Sequence, residues 1–285
     1  MKPQIVDIAR NASPETSNPH EPAMIILYEH QLSPYAQKVK IAMREKGLNF
    51  EFAAPVGLGA GPILEGDFAR ISPRGEVPAL VDGEVAIFDS TIILEYLEDK
   101  FPSPAMLPAS AAERARVRMV EEVMDTHFEP IAWGLAELNW FRRAEGELAE
   151  TLRASAKTQT EGFFAWLERE LGEREWFNGE AFGWGDLSVV PYLNRSLGGA
   201  PPPARGLKLS AWLERANARP SVAMTIEEMA APRLSMTDAA SLVEKGLFKR
   251  EYRDHRLEWM IKSGGLEVVV KGLEADNIRF SPTFE

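Results

Sequence analysis

Three short segments within the first hundred residues constrain this chain more tightly than its composition does. Leu32-Ser33-Pro34-Tyr35 precedes a helical pattern, Gly75-Glu76-Val77-Pro78 precedes a strand pattern, and Asp89-Ser90 precedes another helical pattern. Ser33-Pro34 opens a helix in the favoured chemical order, with a hydroxyl at the N-cap and proline at N1. Asp89-Ser90 is a second N-cap pair. Val77-Pro78 suits a cis proline at the start of a strand, leaving the Val77 backbone open to pair with an extended peptide. Two helix N-termini and one open backbone edge, gathered at one end of a small α/β unit, suit an extended, anionic, peptide-like ligand.

The surrounding pattern supplies that unit. Met24 to Tyr28 is a short apolar run suited to a buried strand, and Phe50 to Phe52 is a second. Val39 and Met43 give the helix after Ser33 an apolar stripe, and Gly47 ends it. Residues 55 to 70 read as loop with a short helix. Val77 to Val81, a turn at Asp82-Gly83, and Val85 to Phe88 form a hairpin. Ile92 to Leu97 follow in a helix stopped by Phe101-Pro102. The expected organisation is a polar arm at 1–22, an α/β domain at 23–102 and a proline-stiffened linker at 103–108. An all-helical domain at 109–232 and an extension at 233–285 complete it.

In the helical region, Val117, Val120, Met124, Phe128, Ile131, Leu135 and Leu138 recur at steps of three and four. Pro130 falls inside that pattern and predicts a bend about one turn earlier. Further helices are expected over 147–171, 184–198, 207–218 and 220–230. In the extension, Phe248, Tyr252, His255 and Trp259 fall on one helical face, while Val268 to Val270 is compatible with strand or helix.

Composition removes several function classes. A net charge of −11 argues against nucleic-acid binding, which needs a basic surface. There is no cysteine, so disulfides, thiolate metal sites and protein-thiol nucleophiles are excluded. The four histidines, His20, His30, His127 and His255, stand at no metal-ligand spacing, and no metal is expected. No apolar run has the length of a membrane span, and the polar N-terminus does not read as a signal peptide. The expected location is cytoplasmic.

Ser33 is the leading catalytic candidate. Its hydroxyl sits where a helix dipole favours negative charge, and a ligand thiol there could be held as thiolate. Tyr28 and His30, in the same strand-to-loop segment, remain the alternatives as thiol partner. Asp89 would answer an α-amino group, and Ser90 with its amide a carboxylate. Trp133 and Trp140, along the bent helix, are candidates for an apolar pocket.

These residues resemble the glutathione S-transferase superfamily over about 24 to 230. Ser33 to Ala42 is similar to the active-site helix of the serine-type classes, Ile71 to Leu80 to the strand-start motif, and Asp89 to Leu97 to the γ-glutamyl-binding turn. Ala211 to Pro220 resembles the late helices. The resemblance implies a thioredoxin-like N-terminal domain, an all-α C-terminal domain, a homodimer, and glutathione as co-substrate. It further implies that Ser33 activates the thiol. Tyr35, Glu76, Val77, Pro78, Asp89 and Ser90 would line the glutathione site, and Tyr35, Trp133 and Trp140 the electrophile pocket. Position 76 is Glu where relatives commonly carry glutamine, and Gly183 stands where they carry a Ser or Thr cap. The expected activity is a glutathione transferase of detoxifying type, conjugating a small electrophile or displacing its ether or halide group. The alternative is a non-catalytic binding or regulatory module on the same fold.

Overall fold

The computed structural model describes residues 24–55, 67–194, 201–230, 239–245, 257 and 266–275. Strands β1 (Ile25–Tyr28), β2 (Phe50–Ala53), β3 (Ala79–Asp82) and β4 (Val85–Phe88) form one sheet in the order β2-β1-β3-β4. β1 runs parallel to β2 and antiparallel to β3, and β3 is antiparallel to β4. The parallel pair requires a crossover, which α1 (Pro34–Glu45) supplies. Ser33 caps α1, Pro34 takes its first turn, and Gly47 at φ 66° lies just beyond its end. α1 is buried over more than a stripe because it packs against helices on both sides as well as covering the sheet.

The other elements of this domain are α2 (Asp67–Ile71) and α3 (Ser90–Lys100). The hairpin turn is Gly83-Glu84, one residue later than the sequence suggests, because Asp82 pairs with Val85. Asp82 is held in the ladder by its side chain, which accepts from the Tyr96 hydroxyl at 2.9 Å and from Lys100 Nζ at 2.5 Å.

The helical region begins with α4 (Ala111–Val123), continues through a π-helical turn (Met124–Phe128) and resumes as α5 (Glu129–Asn139). This is the bend expected before Pro130. A proline there has no amide to donate, and the Glu129 amide reaches back five residues to the Met124 carbonyl. α6 (Gly146–Leu171), α7 (Trp184–Asn194), α8 (Lys208–Asn217) and α9 (Pro220–Ala230) match the expected helices; residues 195–198, to which the sequence extends α7, lie outside the described residues. α10 (Ala239–Glu244) and α11 (Leu266–Glu274) follow, so Val268 to Val270 is helix. The helical face expected from Phe248 to Trp259 falls outside the described residues apart from position 257, as does the arm at 1–22.

The main core runs without a break from the sheet into the helices. It joins Leu27, Val39 and Leu80 to Val117, Leu187 and Trp212. No helix among the described residues is long and apolar enough to cross a membrane.

Candidate functional site

Strand register brings the three sequence segments together. Tyr28 pairs with Ala79, and Ala79 with Phe88, so one row of residues crosses three adjacent strands. Ser33 follows the end of this row on β1, Pro78 immediately precedes it on β3, and Asp89 immediately follows it on β4. Adjacent strands lie about 4.8 Å apart. One end of the sheet therefore carries the N-terminus of α1, the start of β3 and the N-terminus of α3 side by side.

Ser33 is half-buried at the N-cap of α1, and its Oγ accepts from the Ala36 amide at 3.3 Å. An accepting hydroxyl still has its own proton to donate, so the Ser33 O–H is available to a ligand sulfur or oxygen. His30 shapes the loop: its Nδ1 accepts from the Leu32 amide at 3.3 Å, and its carbonyl accepts from the Ser33 amide at 2.8 Å. Tyr28 points its ring at Phe68 of α2, centroid to centroid 5.4 Å.

The Val77-Pro78 peptide bond is cis, as the sequence suggests. Ser72 Oγ fixes the preceding loop by donating to the Glu76 carbonyl at 2.9 Å and accepting from its amide at 3.2 Å. Among the described residues, no backbone hydrogen bond falls on the Val77 amide or carbonyl. At the head of α3, Asp89 adopts φ 77°, a conformation that costs a non-glycine residue on the order of 1 kcal/mol or more. It is held there by its own carboxylate, which accepts from the Thr91 amide at 3.0 Å and the Ile92 amide at 3.4 Å. Ser90 is buried beside it.

The sequence reading missed Arg74. Its Nε lies 3.1 Å from a Glu76 carboxylate oxygen and its Nη2 donates to Asp89 Oδ2 at 3.0 Å. Its guanidinium also covers the Phe88 ring at 5.3 Å. The carboxylate at position 76 is thus paired with an arginine of its own loop, which it shares with Asp89. The only sequence signal was an arginine two residues before Glu76, which does not distinguish a bridge from a solvated charge.

Tyr35 is the second residue of α1 and faces the helical region. Its hydroxyl donates to the Asp125 carbonyl in the π turn at 2.9 Å, and its ring meets Tyr192 edge-on at 6.1 Å. The π turn exposes a carbonyl to this contact where a regular helix would use it internally. Trp133 is half-buried on α5, and Trp140 is half-buried at its C-cap. Among the described residues, no cluster of three or more His, Asp or Glu is placed to hold a metal ion.

Residues 27–105 match the family described as glutathione S-transferase, N-terminal domain. A protein named glutathione S-transferase 1, from Dianthus caryophyllus, is 34% identical over 61% of this chain and 77% of its own length. Glutathione S-transferase Z2 of Arabidopsis thaliana is 46% identical across 33% of this chain and 41% of that one. Among solved structures, rice GST1 (OsGSTU1) in complex with glutathione superposes with a TM-score of 0.63 at 26% identity, covering 79% of this chain and 98% of that one. A mixed sheet with three converging loops, a helical region built around a bent helix, and a relative this close across most of its length make the chain an enzyme of the glutathione S-transferase family.

Proposed function

We propose that this protein binds glutathione along the row formed by Tyr28, Ala79 and Phe88, and joins it through its sulfur to a small apolar or aromatic electrophile. The convergence of Ser33, Val77-Pro78 and Asp89-Ser90 on one sheet end carries this reading. The Val77 backbone would pair with the cysteinyl residue of glutathione, Pro78 holding the loop beneath it. Asp89 would take the α-amino group, and Ser90 with its amide the γ-glutamyl carboxylate. Glu76, held by Arg74, would border the same ligand.

Ser33 is the thiol-activating residue in this reading. A free thiol near pKa 8.5 is only about 3% ionised at pH 7, and lowering it by two units needs roughly 2.7 kcal/mol. One charge-assisted hydrogen bond from the Ser33 hydroxyl together with the α1 dipole is of that size. The thiol proton leaves to solvent, and the thiolate attacks an electrophilic carbon. In conjugation by addition, the carbon–sulfur bond forms as a π bond to that carbon breaks, and the displaced electron pair takes a proton from solvent. In displacement, the carbon–sulfur bond forms as a halide or alkoxide departs with its bonding pair. Tyr35, Trp133 and Trp140 would border the electrophile, which the protein holds in place while the activated sulfur reacts.

A second copy of the chain would cover the outer face of β4, α3 and α4. Those three elements carry the exposed apolar side chains Val85, Ile92 and Met119. Detoxification in the cytoplasm is the setting this chemistry fits.

Calorimetric titration of the purified protein with reduced glutathione tests the reading. Binding at low-millimolar affinity or tighter, weakened in Ser90→Ala, supports it. No binding at that concentration sinks it and leaves a non-catalytic module on the same fold.

A further inference from the structure

Lys38, on the second turn of α1, is fully buried beneath the site. Its Nζ lies 2.6 Å from Glu121 Oε1 and 2.5 Å from Asp125 Oδ2. Burial pushes the ammonium toward its neutral form, and the two carboxylates outweigh it, so Lys38 sits above its ordinary value and stays charged. Glu121 is itself buried, and it also accepts from the Thr91 hydroxyl at 2.9 Å and the Trp184 indole at 2.5 Å. Asp125 accepts from the Tyr192 hydroxyl at 2.7 Å through its side chain and from Tyr35 through its carbonyl.

Five elements meet at this cluster: α1, α3, α4, the π turn and α7. Two of them begin at the proposed site. Thr91 is the second residue of α3, directly after Ser90, and Lys38 lies five residues after Ser33. Taking these charges out of water is costly, and apolar residues of equal volume would give as much stability. What a paired cluster adds is geometry, because each partner is held by direction as well as contact.

We infer that Thr91, Glu121 and Lys38 are positioning residues that fix the N-terminus of α3 against the N-terminus of α1. They would thereby set the distance between the γ-glutamyl and thiol ends of the ligand. None of the three is required to touch the ligand. This rests on the glutathione reading above, and its test separates the two.

Thr91→Val keeps shape and removes the hydroxyl that reaches Glu121; Thr91→Ser restores it. Reduced glutathione is titrated into wild type and both variants, and amide hydrogen exchange is followed in the ligand-free proteins. Thr91→Val is expected to weaken glutathione binding about tenfold, the size of one lost hydrogen bond to a charged group. It should also speed exchange in the first turns of α1 and α3, while Thr91→Ser behaves as wild type in both. Wild-type binding with Thr91→Val unchanged in affinity and exchange overturns the inference and leaves the glutathione reading standing. Equal loss in both variants also overturns it, because packing rather than the hydroxyl would then matter. If wild type does not bind glutathione, that reading falls, and exchange alone decides: faster α1 exchange in Thr91→Val supports the mechanical link, and unchanged exchange overturns it.

Discussion

Lys46 and Glu98 meet at 2.8 Å inside the protein, and between them they hold the linker that joins the α/β domain to the helices. Lys46 Nζ also donates to the carbonyls of Phe101 and Pro104, at 2.7 and 2.9 Å. The Glu98 carboxylate accepts from the amides of Met106 and Leu107, at 3.0 to 3.1 Å. The stiffness suggested by the prolines is therefore supplied by an ion pair that satisfies the linker backbone on both sides. Glu98→Ala leaves a buried ammonium and two buried amides without this partner. It is expected to cost about 3–5 kcal/mol, measured by urea unfolding.

Gly183 illustrates a departure from the family pattern that the structure explains. A Cβ at this position would come well within 3.0 Å of Asn178 Nδ2 and the Met106 carbonyl oxygen. Asn178 fills the space a Ser or Thr side chain would occupy, donating to the Met106 carbonyl at 3.0 Å. Gly183→Ser should therefore destabilise rather than restore a cap, by about 1–3 kcal/mol or more. Combining it with Asn178→Ala should recover part of the loss, and paired denaturation curves measure the coupling.

Asp186, just inside the same helix, accepts from the amides of Phe177, Asn178 and Gly183 and from the Trp212 indole. Burial nevertheless pushes its carboxyl up to about 6 from the ordinary 3.8. The folded state then holds the proton more tightly than the unfolded chain does between those values. Its contribution to stability is fullest below about pH 4, falls as pH rises to about 6, and is flat above. Carboxyl carbon chemical shifts should report a titration near 6 at this residue. A midpoint near 4 would contradict the argument.

Much of this was legible in sequence because it is local. A Ser-Pro helix start, an X-Pro strand start and an Asp cap each depend on neighbours within four residues, and each appeared where expected. The bend before Pro130 was legible for the same reason. What was not legible depends on residues far apart in the chain. Lys38 reads as the polar edge of an amphipathic helix until Glu121 and Asp125, more than eighty residues away, are seen to surround it. The turn at Gly83-Glu84 shifted by one residue because Tyr96 and Lys100, from α3, hold Asp82 in the ladder. Arg74 was invisible because its role requires Asp89 to be next to it.

Ser33→Ala removes the only atom that this reading assigns to thiol activation. Glutathione binding should persist, since the backbone at Val77 and the α3 N-terminus remain. The rate with an electrophile at neutral pH should fall about 10²-fold, and the loss should shrink at high pH, where solution thiolate is abundant. A variant as active as wild type would move thiol activation elsewhere.

Arg74 offers the sharpest separation of charge from shape at the site. Its side chain is 42% exposed, so its pairs with Glu76 and Asp89 add little to folding. For an anionic ligand the balance differs, because without Arg74 two carboxylates at the ligand edge lose their common cation. Arg74→Ala should leave the unfolding midpoint near wild type and weaken glutathione binding several-fold, more at low salt than at high. Adding Glu76→Gln should return most of the affinity, since removing the carboxylate removes the need for its partner. If the two substitutions instead weaken binding additively, Arg74 contacts the ligand itself rather than shielding it from Glu76.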